Sequence, residues 1–201
     1  MKLLSLLLLI NSFFYAEAKH FRLAAVPHDT VIKKKEPGAW IDDFKLFRTA
    51  VYQNDKAAVK QYFKFPLNDD GDELWYLVLS EKEYDKISGK KKNPFLEKDF
   101  DKYYSKIFPL SFKKSILKIK ADELVKSGNA ESSEFKEGNT SYKMYATYDK
   151  KLRTLSLNLA YNTVIKDKDG NIEDGGESNV IYNFIINKAG HIIFKEVRLA
   201  G

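Results

Sequence analysis

From Trp40 onward the apolar residues recur at helical spacing. Trp40, Ile41, Phe44, Phe47 and Val51 mark one stripe, with Asp42, Asp43, Lys45 and Arg48 off it, and the spacing predicts an amphipathic helix that opens the folded part. Asp55 is placed to cap a second helix with Ala58, Val59, Tyr62 and Phe63 on its buried side. Phe65-Pro66-Leu67 then forces extension, because the residue before a proline avoids the helical region. The two helices are expected to form a hairpin. Asn68-Asp69-Asp70-Gly71-Asp72 reads as a turn, and the short run Leu74 to Leu79 reads as a strand rather than a helix. Ser80-Glu81-Lys82-Glu83 is a capping box that starts a short helix ending near Gly89. Asn93-Pro94 offers a cap and a first-turn proline for another, in which Leu96, Phe100, Tyr103, Tyr104 and Ile107 keep helical spacing until Pro109. Residues 112–128 fit neither period cleanly and stay ambiguous, leaning to helix.

After Gly128 the period changes from helical to alternating. Tyr142, Met144, Ala146 and Tyr148 share one face, as do Leu155, Leu157, Leu159, Tyr161 and Thr163 in the next run. Asp167-Lys168-Asp169-Gly170-Asn171 is a hairpin loop, Val180, Tyr182, Phe184 and Ile186 form a third face, and Asn187-Lys188-Ala189-Gly190 turns into a last strand from Ile192 to Leu199. Helices followed by consecutive antiparallel strands define an α+β domain, with the helices on one face of a meander.

Before Trp40 the pattern is different. Lys2, the apolar run Leu3 to Ile10 and the small-x-small site Ala16-Glu17-Ala18 match an export signal, with cleavage expected after Ala18. The run is far shorter than the roughly 20 residues that span a bilayer. No cysteine follows it, so lipid attachment cannot operate and no stable membrane anchor is expected. The expected product is periplasmic or extracellular. Residues 19–38 hold no sustained period, with Pro27, Lys33-Lys34-Lys35 and Glu36-Pro37-Gly38 breaking any element, and read as a flexible leader before a single domain over 39–201.

Composition narrows the chemistry. The chain of 201 residues has no cysteine, which removes thiol catalysis and disulfides, so stability must come from packing and hydrogen bonding. Its 14 Phe and 12 Tyr supply rings that bury about 150–250 Å² each, enough for a substantial core. The formal charge of +6 invites an anionic partner, but most lysines interleave with acids, as in Glu97-Lys98-Asp99-Phe100-Asp101-Lys102, the pattern of solvated helix faces. No nucleic-acid partner is expected.

The run Phe44-x-x-Phe47-x-x-Ala50-Val51 followed by Asp55-x-x-Ala58-Val59-x-x-Tyr62-x-x-Phe65-Pro66-Leu67 resembles the opening helix pair of exported NTF2-like proteins, common among Bacteroidota. Beyond it the likeness covers only the order of elements. It implies a cone of helices on a curved antiparallel sheet, often with a pocket at the wide end. The motif is apolar and structural, and such folds serve isomerases, dehydratases, transport factors and dimerising modules, so it fixes no reaction.

Searched for chemistry, the chain offers little. His20, His28 and His191 lack partners at metal-ligand spacing, and no metal or cofactor is expected. Aligning Gly170 with the sharp-turn glycine of a calcium loop puts Ile165 at the first ligand position, and the same test puts Pro66 there for the Asp70 turn. Serine-hydrolase elbows, phosphate loops and dinucleotide fingerprints are absent. The candidate site residues are Trp75, Tyr142, Tyr161 and Tyr182, which can line an apolar pocket with polar tips or simply fill the core. The expected role is a non-enzymatic domain that binds a small molecule, a glycan or an envelope protein. The alternatives are a pocket enzyme of isomerase or dehydratase type and a homodimerising module.

Overall fold

The computed structural model describes residues 39–68, 73–88, 94–166 and 172–201. The export signal and leader, most of the turn at 68–72, Gly89, Asn93 and the loop at 167–171 lie outside the described residues.

Helix α1 (Ala39–Gln53) carries the predicted stripe inward, with Phe44, Phe47 and Val51 fully enclosed. It stops where Asn54 turns left-handed (φ 58°) and the Asp55 N–H closes back onto the Ala50 carbonyl at 2.9 Å. The Asp55 carboxylate accepts the Ala58 N–H at 3.0 Å and starts α2 (Lys56–Lys60), which completes the hairpin.

The run at Leu74 is a helix, α3 (Glu73–Val78), not a strand. Leu74 and Val78, four apart, are the pair it buries, so the apolar run served helical spacing despite its shortness. In the next helix, α4 (Glu81–Asp85), the Glu83 carboxylate accepts the Ser80 N–H at 3.0 Å and its hydroxyl at 2.7 Å, as the capping box requires. The proline cap at Asn93-Pro94 is not where α5 (Glu97–Ile107) begins. Phe95 instead forms an extended bridge to Leu67, and Asp99 closes the helix start by accepting the Leu96 N–H at 3.0 Å. Residues 112–128 resolve into most of one helix, α6 (Leu110–Leu117), and the whole of another, α7 (Ala121–Ser127). Their joint at Lys118–Lys120 shifts the phase of Ile116, Ile119 and Leu124, which is why one period failed to fit. Gly128 (φ 78°) ends α7 in the left-handed conformation, and a Cβ there would stand 3.1 Å from the Tyr148 carbonyl.

Among the described residues six strands follow: β1 (Asn129–Glu131), β2 (Phe135–Glu137), β3 (Thr140–Asp149), β4 (Thr154–Lys166), β5 (Ile172–Ile186) and β6 (Ile192–Ala200). They make a curved, open antiparallel sheet in the order β1-β3-β4-β5-β6, with β2 also on β3. The short β1 and β2 are too brief for alternation to show. Irregularities between Asn162 and Val164 and between Asn183 and Phe184 bend the long strands. The second adds Lys195 to β6 and turns Glu196 to the outer face, where it pairs with Asn183. Met144, Leu157, Leu159, Tyr182, Phe184, Phe194 and Val197 face inward beneath the helices. Three edge donors of β6 are covered from the helical layer. Ile192 N–H goes to the Asp43 carboxylate (2.8 Å), Phe194 N–H to the Tyr62 carbonyl (2.7 Å) and Leu199 N–H to the Glu73 carboxylate (3.2 Å), which leaves those positions closed to strand addition.

Candidate functional site: an open groove at the end of the sheet

The inner face of the sheet has two ends. Toward α1, α2 and α5 the rings interlock. Phe47 lies 4.9 Å from Tyr62, 5.2 Å from Phe184 and 6.1 Å from Phe108, while Phe63 stacks on Phe194 at 4.6 Å. Tyr182 sits there too, its ring 4.5 Å from Phe112 and its hydroxyl donating to the Ile107 carbonyl at 2.7 Å. Complete burial, with a small contribution from Tyr161, holds the Tyr182 phenol far above its ordinary range. Of the four candidate residues, this one belongs to the core.

At the opposite end the helices stop covering the strands and leave a groove of about 440 Å³. Tyr76 and Leu77 of α3 form one wall, Tyr161, Ser178 and Val180 the floor, and Leu199 to Gly201 the far side. Register places Tyr161 here, because it pairs with Tyr142 on one side and Ser178 on the other, one inward row beyond the buried Leu159–Val180 pair. Tyr142 and Phe135 continue the row with centroid spacings of 6.0 and 5.4 Å. Lys114 and Lys118 lie over Phe135 at 5.6 and 4.9 Å and close that end. Trp75 points elsewhere, packing on Phe95 at 4.9 Å and Tyr103 at 6.4 Å. The structure therefore unites Tyr142 and Tyr161, separates Trp75 and encloses Tyr182. The strand reading of 74–79 hid Tyr76. With Leu74 and Val78 inward on a helix, Tyr76 is left 58% exposed.

A second cluster escaped the sequence reading. Asp43, placed off the stripe by periodicity, is only 7% exposed, and its carboxylate accepts from His191 Nδ1 and the Ile192 N–H, both at 2.8 Å. His191 Nε2 lies 3.1 Å from the Gln61 carbonyl, and Tyr62 stacks on the ring at 5.1 Å. With both nitrogens against acceptors, a cationic ring satisfies both contacts and a neutral ring only one. Burial first, and the Asp43 charge second, push the Tyr62 phenol up to about 12. This cluster ties the β5–β6 turn to the helical hairpin and leaves neither imidazole nitrogen open to a substrate.

A recess of about 510 Å³ beside α1, α6 and α7 is lined by Lys45, Arg48, Lys118, Lys120, Asp122 and Glu123 among others. Several of its charges engage one another or the backbone: Lys120 lies 2.9 Å from Glu123, Lys45 lies 3.9 Å from Asp122, and Arg48 donates to the Ile119 carbonyl at 2.7 Å. Among the described residues no group of three or more His, Asp or Glu is placed to hold a metal ion, and no helix is long and apolar enough to cross a membrane.

Comparison with known protein families, with curated proteins and with solved structures finds no match to this chain.

Proposed function

We propose that the chain is an exported, non-enzymatic domain of NTF2-like type that binds a small molecule, a glycan or an envelope protein at the open end of its sheet. The observation that carries this reading is the groove, with Tyr161, Ser178 and Tyr76 on its wall and floor. Its volume falls within the roughly 300–1,000 Å³ typical of small-molecule sites, and apolar surface beside a few polar groups is their usual composition. Helices ahead of a curved antiparallel sheet support the NTF2-like assignment. Among the described residues the groove brings two tyrosine phenols, Tyr76 and Tyr161, with no Asp, Glu or His side chain beside them in its lining, and the reading therefore rests on binding rather than on an acid–base pair.

The first part of the proposal is tested by expressing the full chain in a host with Sec export. Intact-mass measurement of the exported product is expected to show a chain beginning at Lys19. A product retaining Met1 to Ala18 would overturn export by cleavage.

A further inference from the structure

We infer that the groove holds an uncharged glycan segment, with sugar rings laid on Tyr161 and Tyr76. The inference rests on the binding reading above and narrows its ligand class. The first argument is charge. Charged residues make up 31% of the chain, yet among the described residues no charged side chain lines this groove, unlike the mixed-charge recess beside α1. Glu73 and Arg198, which flank Leu199, are engaged with each other. Glu73 accepts the Leu199 N–H at 3.2 Å and lies 3.6 Å from Arg198 Nε, while Arg198 also reaches Glu196 at 3.1 Å. An anionic ligand would shed water here and meet no cationic side chain in the lining, a costly exchange.

The second argument is the arrangement of the lining. Tyr161, Tyr76 and Leu199 bring aromatic and aliphatic surface to the groove, and Ser178, inward on β5 in register with Tyr161, adds a hydroxyl beside the phenols. A sugar has the same division, with C–H groups on the faces of its ring and hydroxyls at the rim. Aromatic faces are electron-rich and attract the weakly positive C–H surface, while the polar tips pair with hydroxyls. An acyl chain would leave those tips unpaired as it buried them, a cost that a sugar's hydroxyls avoid.

The third argument is length. The row of rings continues past the groove to Tyr142, 6.0 Å from Tyr161, and Tyr76 meets Tyr84 at 5.0 Å on the other side. Beyond Tyr142 the lysines over Phe135 end the row. An extended ligand of several units, entering at the exposed Tyr76, fits this layout better than a compact one.

The test is a titration of the isotope-labelled full mature chain, followed by backbone amide resonances. The probes are neutral hexasaccharides (cellohexaose, chitohexaose, maltohexaose), a charged glycan (polygalacturonate fragments) and two non-sugars (indole and a neutral tripeptide). At least one neutral hexasaccharide is expected to shift the Tyr161, Ser178 and Val180 amides at millimolar concentration, with Tyr76→Ala weakening it about tenfold. Tyr76 is mostly exposed, so that variant keeps its fold, and Tyr161→Ala provides a second reading. If only indole or the tripeptide shifts those amides, the glycan is wrong and the binding groove stands. Tighter binding of the charged glycan overturns the neutral assignment. If no probe moves these amides, both readings fall together.

Discussion

Tyr182 and Tyr161 share one face of one sheet, on neighbouring strands, and have opposite fates. Tyr182 pairs in register with Leu157, lies under α5 and α6 and is 1% exposed. Tyr161 pairs with Ser178, two inward rows further along, where the helical layer has ended. The same side chain is therefore a core ring in one place and a groove wall in the other. What separates them is position along the strand relative to the helices, a property that alternation does not carry. Period two tells which face a residue takes. Coverage depends on where helices distant in sequence come to rest.

The contrast is broken most forcefully from the closed end. Phe47 is fully enclosed and touches Tyr62, Phe108 and Phe184. Phe47→Ala is expected to cost about 3–5 kcal/mol, the range for removing a large buried ring, read as a lowered urea midpoint at unchanged slope. A loss below about 1 kcal/mol would mean that this end is no better packed than the groove, and the distinction between the two would fail.

The same contrast marks how much was legible in the sequence. The α+β order, the α1 stripe, the Asp55 cap, the capping box at Ser80 and the inward faces of β3 to β5 are readable, because each is a local consequence of spacing or of one side chain capping a nearby backbone group. The run at Leu74 reads as a strand but is a helix, because six apolar residues satisfy a strand and a short buried helix equally, and only contact with α5 and β6 selects the helix. Asp43 falls off the apolar stripe by spacing, and its burial depends on partners, His191 and Ile192, that lie 148 and 149 residues away. Tyr142 and Tyr161 were found as site candidates by face alone, whereas Tyr76 needed the helix, and nothing local told Tyr182 apart from Tyr161.

Alkaline titration sharpens the picture of the closed end. Burial, aided by Asp43 for one and Asp55 for the other, pushes the phenols of Tyr62 and Tyr104 up to about 12 from an ordinary 10. A phenol raised in the folded state keeps its proton there after the unfolded chain has lost it. Stability is therefore complete below pH 10 and falls as pH rises towards 12, because the native state binds more protons in that window. Each such tyrosine contributes a slope that approaches about 1.4 kcal/mol per pH unit above pH 10, which is about 1 kcal/mol over the first unit, so these two, with Tyr182 raised in the same sense, lower stability by roughly 3 kcal/mol between pH 10 and 11. Urea midpoints measured across pH 9 to 12 check this. A flat profile to pH 12 would show that these rings do not carry the protonation difference assigned to their burial.

The smallest effect tests the tyrosine pair itself, by removing one oxygen atom from each. In Tyr182→Phe the ring and its contacts with Phe112 stay, but the Ile107 carbonyl loses the hydroxyl that reaches it at 2.7 Å inside the core. No water can readily take that place next to a fully enclosed ring, so the expected cost is about 1–2 kcal/mol. Tyr161→Phe removes a hydroxyl from a half-buried ring at the groove, where solvent can satisfy whatever the oxygen leaves behind, and the expected change in stability is below about 0.5 kcal/mol. The difference of about 1 kcal/mol is the measurable content of the comparison, because the two substitutions are chemically identical and the strands adjacent. Paired urea denaturation of the two variants against the parent chain decides it. Equal costs would place both rings in one continuous core and remove the open end as a separate region, whereas a loss confined to Tyr182→Phe leaves the Tyr161 oxygen free of structural duty and available to a ligand.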